Sequence, residues 1–192
     1  MVYCLVVAAL VVLLDQISKI IVVNGIALGE NVTVIEGVLN FTFVENRGAA
    51  FGMLSEHRWV FMVMSVLAII GISFFLWKEK PKSFWIKTPL AFVLGGGVGN
   101  MIDRTFRGSV VDFIEADFVV YPEFSLEGGF SVTLRDFPIF NVADCFITVG
   151  CVALICYLLF CELPAEIKKE KAKSAVAENA STNAENDTNN DE

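Results

Sequence analysis

Residues 95–117 read GGGVGNMIDRTFRGSVVDFIEAD. They close an apolar run, KTPLAFVL at 87–94, that is greasy enough to lie in a membrane. Glycines, an asparagine and a mixture of aspartates and arginines at the end of such a run mean different things in different solvents. What surrounds the rest of the chain therefore decides the reading.

The chain has 192 residues, 55% hydrophobic and 19% charged, and its mean hydropathy of +0.63 is above that of soluble domains. A soluble domain of this length does not carry so many uninterrupted apolar runs. Four windows approach the roughly 20 residues that a bilayer requires: Val2–Val23, Trp59–Trp77, Ile86–Ile102 and Val142–Phe160. The third is short and spans fully only with its polar end at the interface. The expected fold is an α-helical integral membrane protein with four transmembrane helices. A cleaved signal peptide is a poor reading of the first window, which lacks a basic n-region and is interrupted by Asp15 and Lys19.

Lysines set the expected orientation. Lys78, Lys80, Lys82 and Lys87 flank one side, and Lys168, Lys169, Lys171 and Lys173 follow the last window. With four spans these groups share a side, so both termini and the 78–87 loop are expected in the cytoplasm. Residues 24–58 and 103–141 then face outside. Residues 1–161 form the expected membrane domain. Residues 162–192 form a polar, acidic, low-complexity tail, read as disordered and solvated. Its eight acids against four lysines supply half of the net charge of −8. No basic patch suggests nucleic acid.

Cys4, Cys145, Cys151, Cys156 and Cys161 all fall in apolar windows without metal-type spacing, and are read as packing residues. His57, the only histidine, sits in a polar flank. In the first outer segment Val32 and Val34 alternate, as do Leu39, Phe41 and Phe43, about Gly37. Period two with β-branched and aromatic residues predicts a small antiparallel sheet. A lone hairpin is marginal in water, so it must lean on the membrane surface or on the second outer segment. Gly128–Gly129 suggests a second hairpin there.

The polar groups of the opening stretch have company. Asn100, Asp103 and Arg104 share one helical face, and Gly95 and Gly99 form a GxxxG that admits a neighbouring helix. Asp15 and Lys19 stand i, i+4 in the outer half of the first window, where each charge costs about 2.5–3.5 kcal/mol and so requires a purpose. Asn141 and Asp144 open the fourth window, and Asn46 and Arg47 precede the second. Separate segments thus deliver polar side chains to one depth. Among them Asp112 and Asp144 are candidates for a pair that shares a proton, one activating water and the other protonating a carbonyl oxygen or leaving amine. From spacing alone, the pair is only a candidate, and a structural polar cluster is the stronger reading.

In order, DQISK at 15–19, ENRGAAFGM at 45–53, GGGVGNMIDRTFRGSVVDFI at 95–114 and FNVADCFI at 140–147 resemble the bacterial lipoprotein signal peptidases, the signal peptidase II family. The resemblance implies an aspartic endopeptidase that cleaves diacylglyceryl-modified prolipoproteins just before the lipidated cysteine. It implies a catalytic pair at Asp112 and Asp144. Supporting or substrate-binding roles fall to Asp15, Lys19, Asn46, Gly48, Asn100, Asp103, Arg104 and Asn141. It also implies an outer, periplasmic-side β-rich cradle, contact with membrane lipid, inhibition by globomycin, and no metal or other cofactor. The location implied is the bacterial cytoplasmic (inner) membrane, multi-pass, with the active site at its outer face. The 119–136 segment is longer than the family pattern, and the acidic tail lies outside it.

A small membrane transporter would need polar residues at both depths, and the inner halves of the windows are nearly free of charge. A non-catalytic assembly protein is separated by a cleavage assay on a lipidated precursor. Ser18 and Lys19 are adjacent on a helix, about 100° apart, and are poorly placed as a Ser–Lys dyad. No GxGD motif and no GK[ST] phosphate loop is present.

The four-span reading makes one prediction. In a cysteine-free background, single cysteines at Ser83 and Ser131 should react with an impermeant reagent from opposite sides of the membrane. Labelling of both from one side would break it.

Overall fold

The computed structural model describes residues 1–47, 58–81, 83–116 and 137–164. Gly48, His57, the 119–136 segment with Gly128–Gly129, and the tail beyond 164 lie outside the described residues. In chain order the elements are helix α1 (Val2–Gly25), strands β1 (Asn31–Ile35) and β2 (Leu39–Asn46), helices α2 (Arg58–Glu79) and α3 (Phe84–Phe106), strand β3 (Val110–Ala116), and helix α4 (Val142–Tyr157). Helix α4 runs on into a π-helical turn, Leu158–Glu162. The chain forms two compact units, Met1–Cys151 and Val152–Glu192, and the site lies in the first.

Among the described residues, three stretches are long and apolar enough to cross a membrane: Val2–Gly25, Met62–Glu79 and Val142–Glu162. The protein itself covers only 28% of the first and 6% of the second, so their apolar faces need a non-aqueous surround. Helix α3 has the length, but its sequence is diluted by the glycines and polar residues of the opening stretch.

Those glycines do more than a single GxxxG. Successive helical residues point about 100° apart, and three helices surround α3. A Cβ on Gly95 would stand 2.7 Å from Ala8 O of α1, and one on Gly96 would stand 2.5 Å from Ala143 O of α4. Gly97 faces Ile69 of α2 at an ordinary 3.7 Å. One turn on from Gly95, a Cβ at Gly99 would sit 2.5 Å from the Asp15 carboxylate. The GGGVG run is thus the socket into which α1 and α4 press. At the end away from the sheet, Cys4, Leu76 and Ala91 close a small core between α1, α2 and α3.

Beyond α3, Gly108 adopts φ +77° and turns the chain into β3. The expected β1–β2 hairpin is present, with Gly37 at φ +68° in its turn. It gains a third antiparallel strand, in the order β1-β2-β3. In sequence β3 reads as a polar-interrupted apolar stretch, because Val110, Val111, Asp112 and Phe113 are all buried and show no alternation. The hairpin leans on β3 and on the C-terminal end of α1. Val22, Phe43, Val111 and Phe113 make that core, with Ile26 and Val142 packed against it. The far side of β3 bridges to Phe140, where Ile114 N–H donates to Phe140 O at 2.8 Å. This bridge delivers the chain to the start of α4.

Gly96→Ala should destabilise the protein by about 1–3 kcal/mol, because a backbone carbonyl must move. Gly97→Ala should be neutral or gain up to about 1 kcal/mol from helix propensity. Thermal unfolding in one detergent checks both, and equal effects would contradict the socket.

Candidate active site

At the base of the site is a fully buried lysine. Lys19 Nζ lies 2.9 Å from Asp15 Oδ2 and 2.8 Å from Asp103 Oδ2, and all three side chains are inaccessible to solvent. Its third partner is Asn100 Oδ1 at 2.9 Å. An ammonium has three donors and no acceptor, and here each donor has an oxygen. Two carboxylates around one ammonium leave a negative charge. Arg107 Nε at 3.7 Å from Asp103 and the α4 N-terminus, whose Ala143 N–H donates to Asp15 Oδ1 at 2.9 Å, offset it. Gln16 adds an amide bridge from Asp15 to Gly99 O.

Asn141 and Asp144 cap α4 reciprocally. Asp144 N–H donates to Asn141 Oδ1 at 3.0 Å, and Asn141 N–H donates to Asp144 Oδ2 at 3.2 Å. This is a capping box with aspartate at its third position. With its oxygen held by that backbone N–H, the Asn141 side chain turns its NH₂ outward. Asn141 Nδ2 donates to Asp112 Oδ1 at 2.6 Å and to Asn100 Oδ1 at 3.1 Å. Asn100 Nδ2 donates to Asp144 Oδ1 at 2.8 Å. From β2, Asn46 Nδ2 donates to the other oxygen of Asp112 at 2.8 Å. The strand register explains that bond: Val44 pairs with Asp112 and Asn46 with Val110, which makes Asn46 and Asp112 diagonal neighbours on one face.

Asp112 and Asp144 line one cavity of about 530 Å³, together with Asn46, Asn100 and Arg104. Its apolar wall is Phe137, Pro138, Ile139, Phe140 and Val149. Asp15, Lys19 and Asp103 are fully buried and do not line the cavity; Lys19 meets its lining through Asn100. The shared face expected for Asn100, Asp103 and Arg104 is therefore divided: Asp103 turns to Lys19, while Arg104 turns to the cavity. Sequence reasoning does not single out Gln16, Cys145 or the 137–140 wall as parts of a site. Of the cysteines, Cys4 is buried as a packing residue should be, Cys145 borders the cavity, and Cys151, Cys156 and Cys161 are exposed.

The Asp112 carboxyl is only 3% exposed. Its pKa rises from the ordinary 3.8 to about 6, first because burial disfavours the charge. The Asn46 amide opposes this rise, the Asp144 carboxylate adds to it, and Asn141 and Lys19 oppose it. Two carboxyls in one partly dehydrated cavity, each receiving N–H donors, can divide the acid and base roles of a hydrolysis.

The family described as Signal peptidase (SPase) II matches residues 7–160. A lipoprotein signal peptidase of Halalkalibacterium halodurans is 39% identical over 166 residues, covering 86% of this chain and 96% of that protein. One from Geobacillus kaustophilus is 39% identical over 82% of this chain and 94% of its own. One from Brevibacillus brevis is 42% identical over 75% and 86%. Two solved chains described as bacterial membrane enzymes, each 30% identical, superpose with TM-scores of 0.70 and 0.69. They cover 83% and 84% of this chain, and 88% and 95% of their own lengths.

A raised carboxyl pKa has a definite sign in stability. Between about pH 4 and pH 6 the folded state holds a proton on Asp112 that the unfolded state has released. Raising the pH through that window should therefore cost up to about 3 kcal/mol. Melting curves of the wild type and Asp112→Asn should diverge from pH 4 to pH 7, the wild type losing stability relative to the variant. A pH-independent difference would contradict the buried, ionisable Asp112.

Proposed function

The chain belongs to the signal peptidase II family, and on that premise we propose that Asp112 and Asp144 are its catalytic dyad. The enzyme is an aspartic endopeptidase that removes signal peptides from prolipoproteins. The observation that carries the dyad reading is the convergence of both carboxylates on one cavity, held by the same asparagine, Asn141.

In this reading Asp144 takes a proton from water as its oxygen attacks the scissile carbonyl carbon. Asp112, whose carboxyl burial holds up at about 6, carries the shared proton and gives it to the carbonyl oxygen. An apolar substrate removes further water from the cavity and favours that protonated form. Collapse of the tetrahedral intermediate breaks the C–N bond, with a proton returned to the leaving amine. Asn46, Asn100 and Asn141 hold the carboxylates in place. Arg104 offers planar donors to a substrate carbonyl.

The finer substrate reading is a diacylglyceryl-modified precursor cut just before its lipidated cysteine, with globomycin as an inhibitor. The phenylalanines, proline, isoleucine and valine of the cavity wall support it, since they suit acyl chains and an apolar signal helix. We place four helices across the bacterial inner membrane, α3 included, with both termini cytoplasmic and the dyad near the outer face. The lysine flanks support this orientation. Residues 1–161 are the proposed catalytic domain and 162–192 a cytoplasmic extension.

Asp112→Asn and Asp144→Asn should each abolish cleavage of a lipidated precursor, by about 10²–10⁴-fold or more, in protein that still folds. Near-wild-type turnover in either would sink the dyad. A second expectation concerns the lipid. Each buried CH₂ contributes about 0.8 kcal/mol, and remote binding energy also orients the reacting bond. One precursor compared with its cysteine diacylated and unmodified, in the same detergent, should differ in kcat as well as KM. Equal kcat/KM would move the enzyme towards general signal-peptide cleavage.

A further inference from the structure

The buried cluster behind the cavity has three charged members. Among the described residues, one side chain hydrogen-bonds both to its lysine and to the proposed dyad. That side chain is Asn100, whose oxygen faces Lys19 at 2.9 Å and whose nitrogen faces Asp144 at 2.8 Å. An asparagine amide is nearly symmetric in shape but opposite in polarity at its two ends. Which end meets Asp144 is set by what holds the other. We propose that Lys19 is a positioning residue for the reaction: its ammonium holds the Asn100 carbonyl, so that an N–H and not a C=O meets the Asp144 carboxylate.

The chemistry of the partners fixes this polarity. Lys19 has donors only, so the atom of Asn100 that it touches must be the oxygen. Asp15 and Asp103, at 2.9 and 2.8 Å, hold the ammonium in that place from two helices. Gly99 leaves the space that brings the Asp15 carboxylate against α3. Asn141 Nδ2 gives the Asn100 oxygen a second hold, longer at 3.1 Å and uncharged. The charge-assisted bond from Lys19 is the stronger of the two. Without it, the Asn100 amide can rotate and present its carbonyl to a carboxylate that only a donor can satisfy. Lys19 is fully buried behind the cavity, and its hydrogen bond towards the dyad ends on Asn100, so it acts through that residue.

The proposal rests on the dyad reading and separates from a purely structural role for Lys19. Lys19→Met alone strands two carboxylates and should lower both stability and activity. The triple variant Asp15→Asn, Lys19→Met, Asp103→Asn removes the stranded charge, while the amide that replaces the Asp15 carboxylate keeps an oxygen for the Ala143 N–H. Its melting temperature should return towards wild type, while kcat on a lipidated precursor stays about 10–100-fold down and KM moves by less than about 3-fold. Adding Asn100→Ala should lower kcat no further than Asn100→Ala alone, because both lesions remove one interaction. Recovery of wild-type kcat in the triple variant, or losses that multiply, would overturn the proposal. If the triple variant does not accumulate folded, the cycle of Lys19→Met with Asn100→Ala below both melting temperatures gives the same decision. Activity in Asp112→Asn or Asp144→Asn would instead overturn the dyad reading. With those variants inactive, recovery in the triple variant sinks this proposal alone.

Discussion

Burying an ammonium without water is the constraint on which the rest of this molecule depends. Lys19 is fully inaccessible, and its three donors find three oxygens, one from its own helix and two from α3. An uncompensated buried charge costs several kcal/mol, so the partners must be present together and at hydrogen-bond distance. That requirement fixes the rotation and height of α1 against α3. It in turn demands that α3 present no side chain at Gly95 and Gly99, where α1 approaches. The same carboxylate of Asp15 that holds the lysine accepts the Ala143 N–H, which fixes where α4 begins. Geometry passes from one charge to three helices.

How a sequence announces such a site depends on how local its signals are. The helices were legible because apolar runs of bilayer length are long and nearly uninterrupted, and the hairpin because Val32, Val34, Phe41 and Phe43 alternate. Strand β3 was not legible. It is buried on both faces, so it offers no period-two pattern, and its partner β2 lies more than sixty residues away. The glycines were half legible. Gly95 and Gly99 could be read as a GxxxG, but only the packed structure assigns Gly96 to α4 and Gly97 to α2. Asp103 and Arg104 show the limit of face arguments. Adjacent residues near a helix end go to different partners, one to Lys19 and one to the cavity. The candidate acids themselves were visible because charge at the end of an apolar run is costly, which is a physical signal available from one sequence.

Asparagines rather than cations hold the two proposed catalytic carboxyls. Asn46 and Asn141 each donate to Asp112, and Asn100 donates to Asp144. A neutral amide opposes the rise in carboxyl pKa less strongly than a salt bridge would, which leaves burial free to hold Asp112 at about 6. The full cation of Lys19 is kept one residue back, bonded to Asn100 and to neither of these two carboxyls.

The reciprocal cap at Asn141 and Asp144 has a consequence for the life of the chain before it is complete. Asp144 takes its place only when α4 has started, Asp112 only when β3 has paired with β2, and Asn100 only when α3 has met α1. A nascent or partly inserted chain carries every one of these side chains and none of their relative placement. On the proposed dyad, proteolytic competence is a property of assembly rather than of any segment, and a half-built chain is latent by construction.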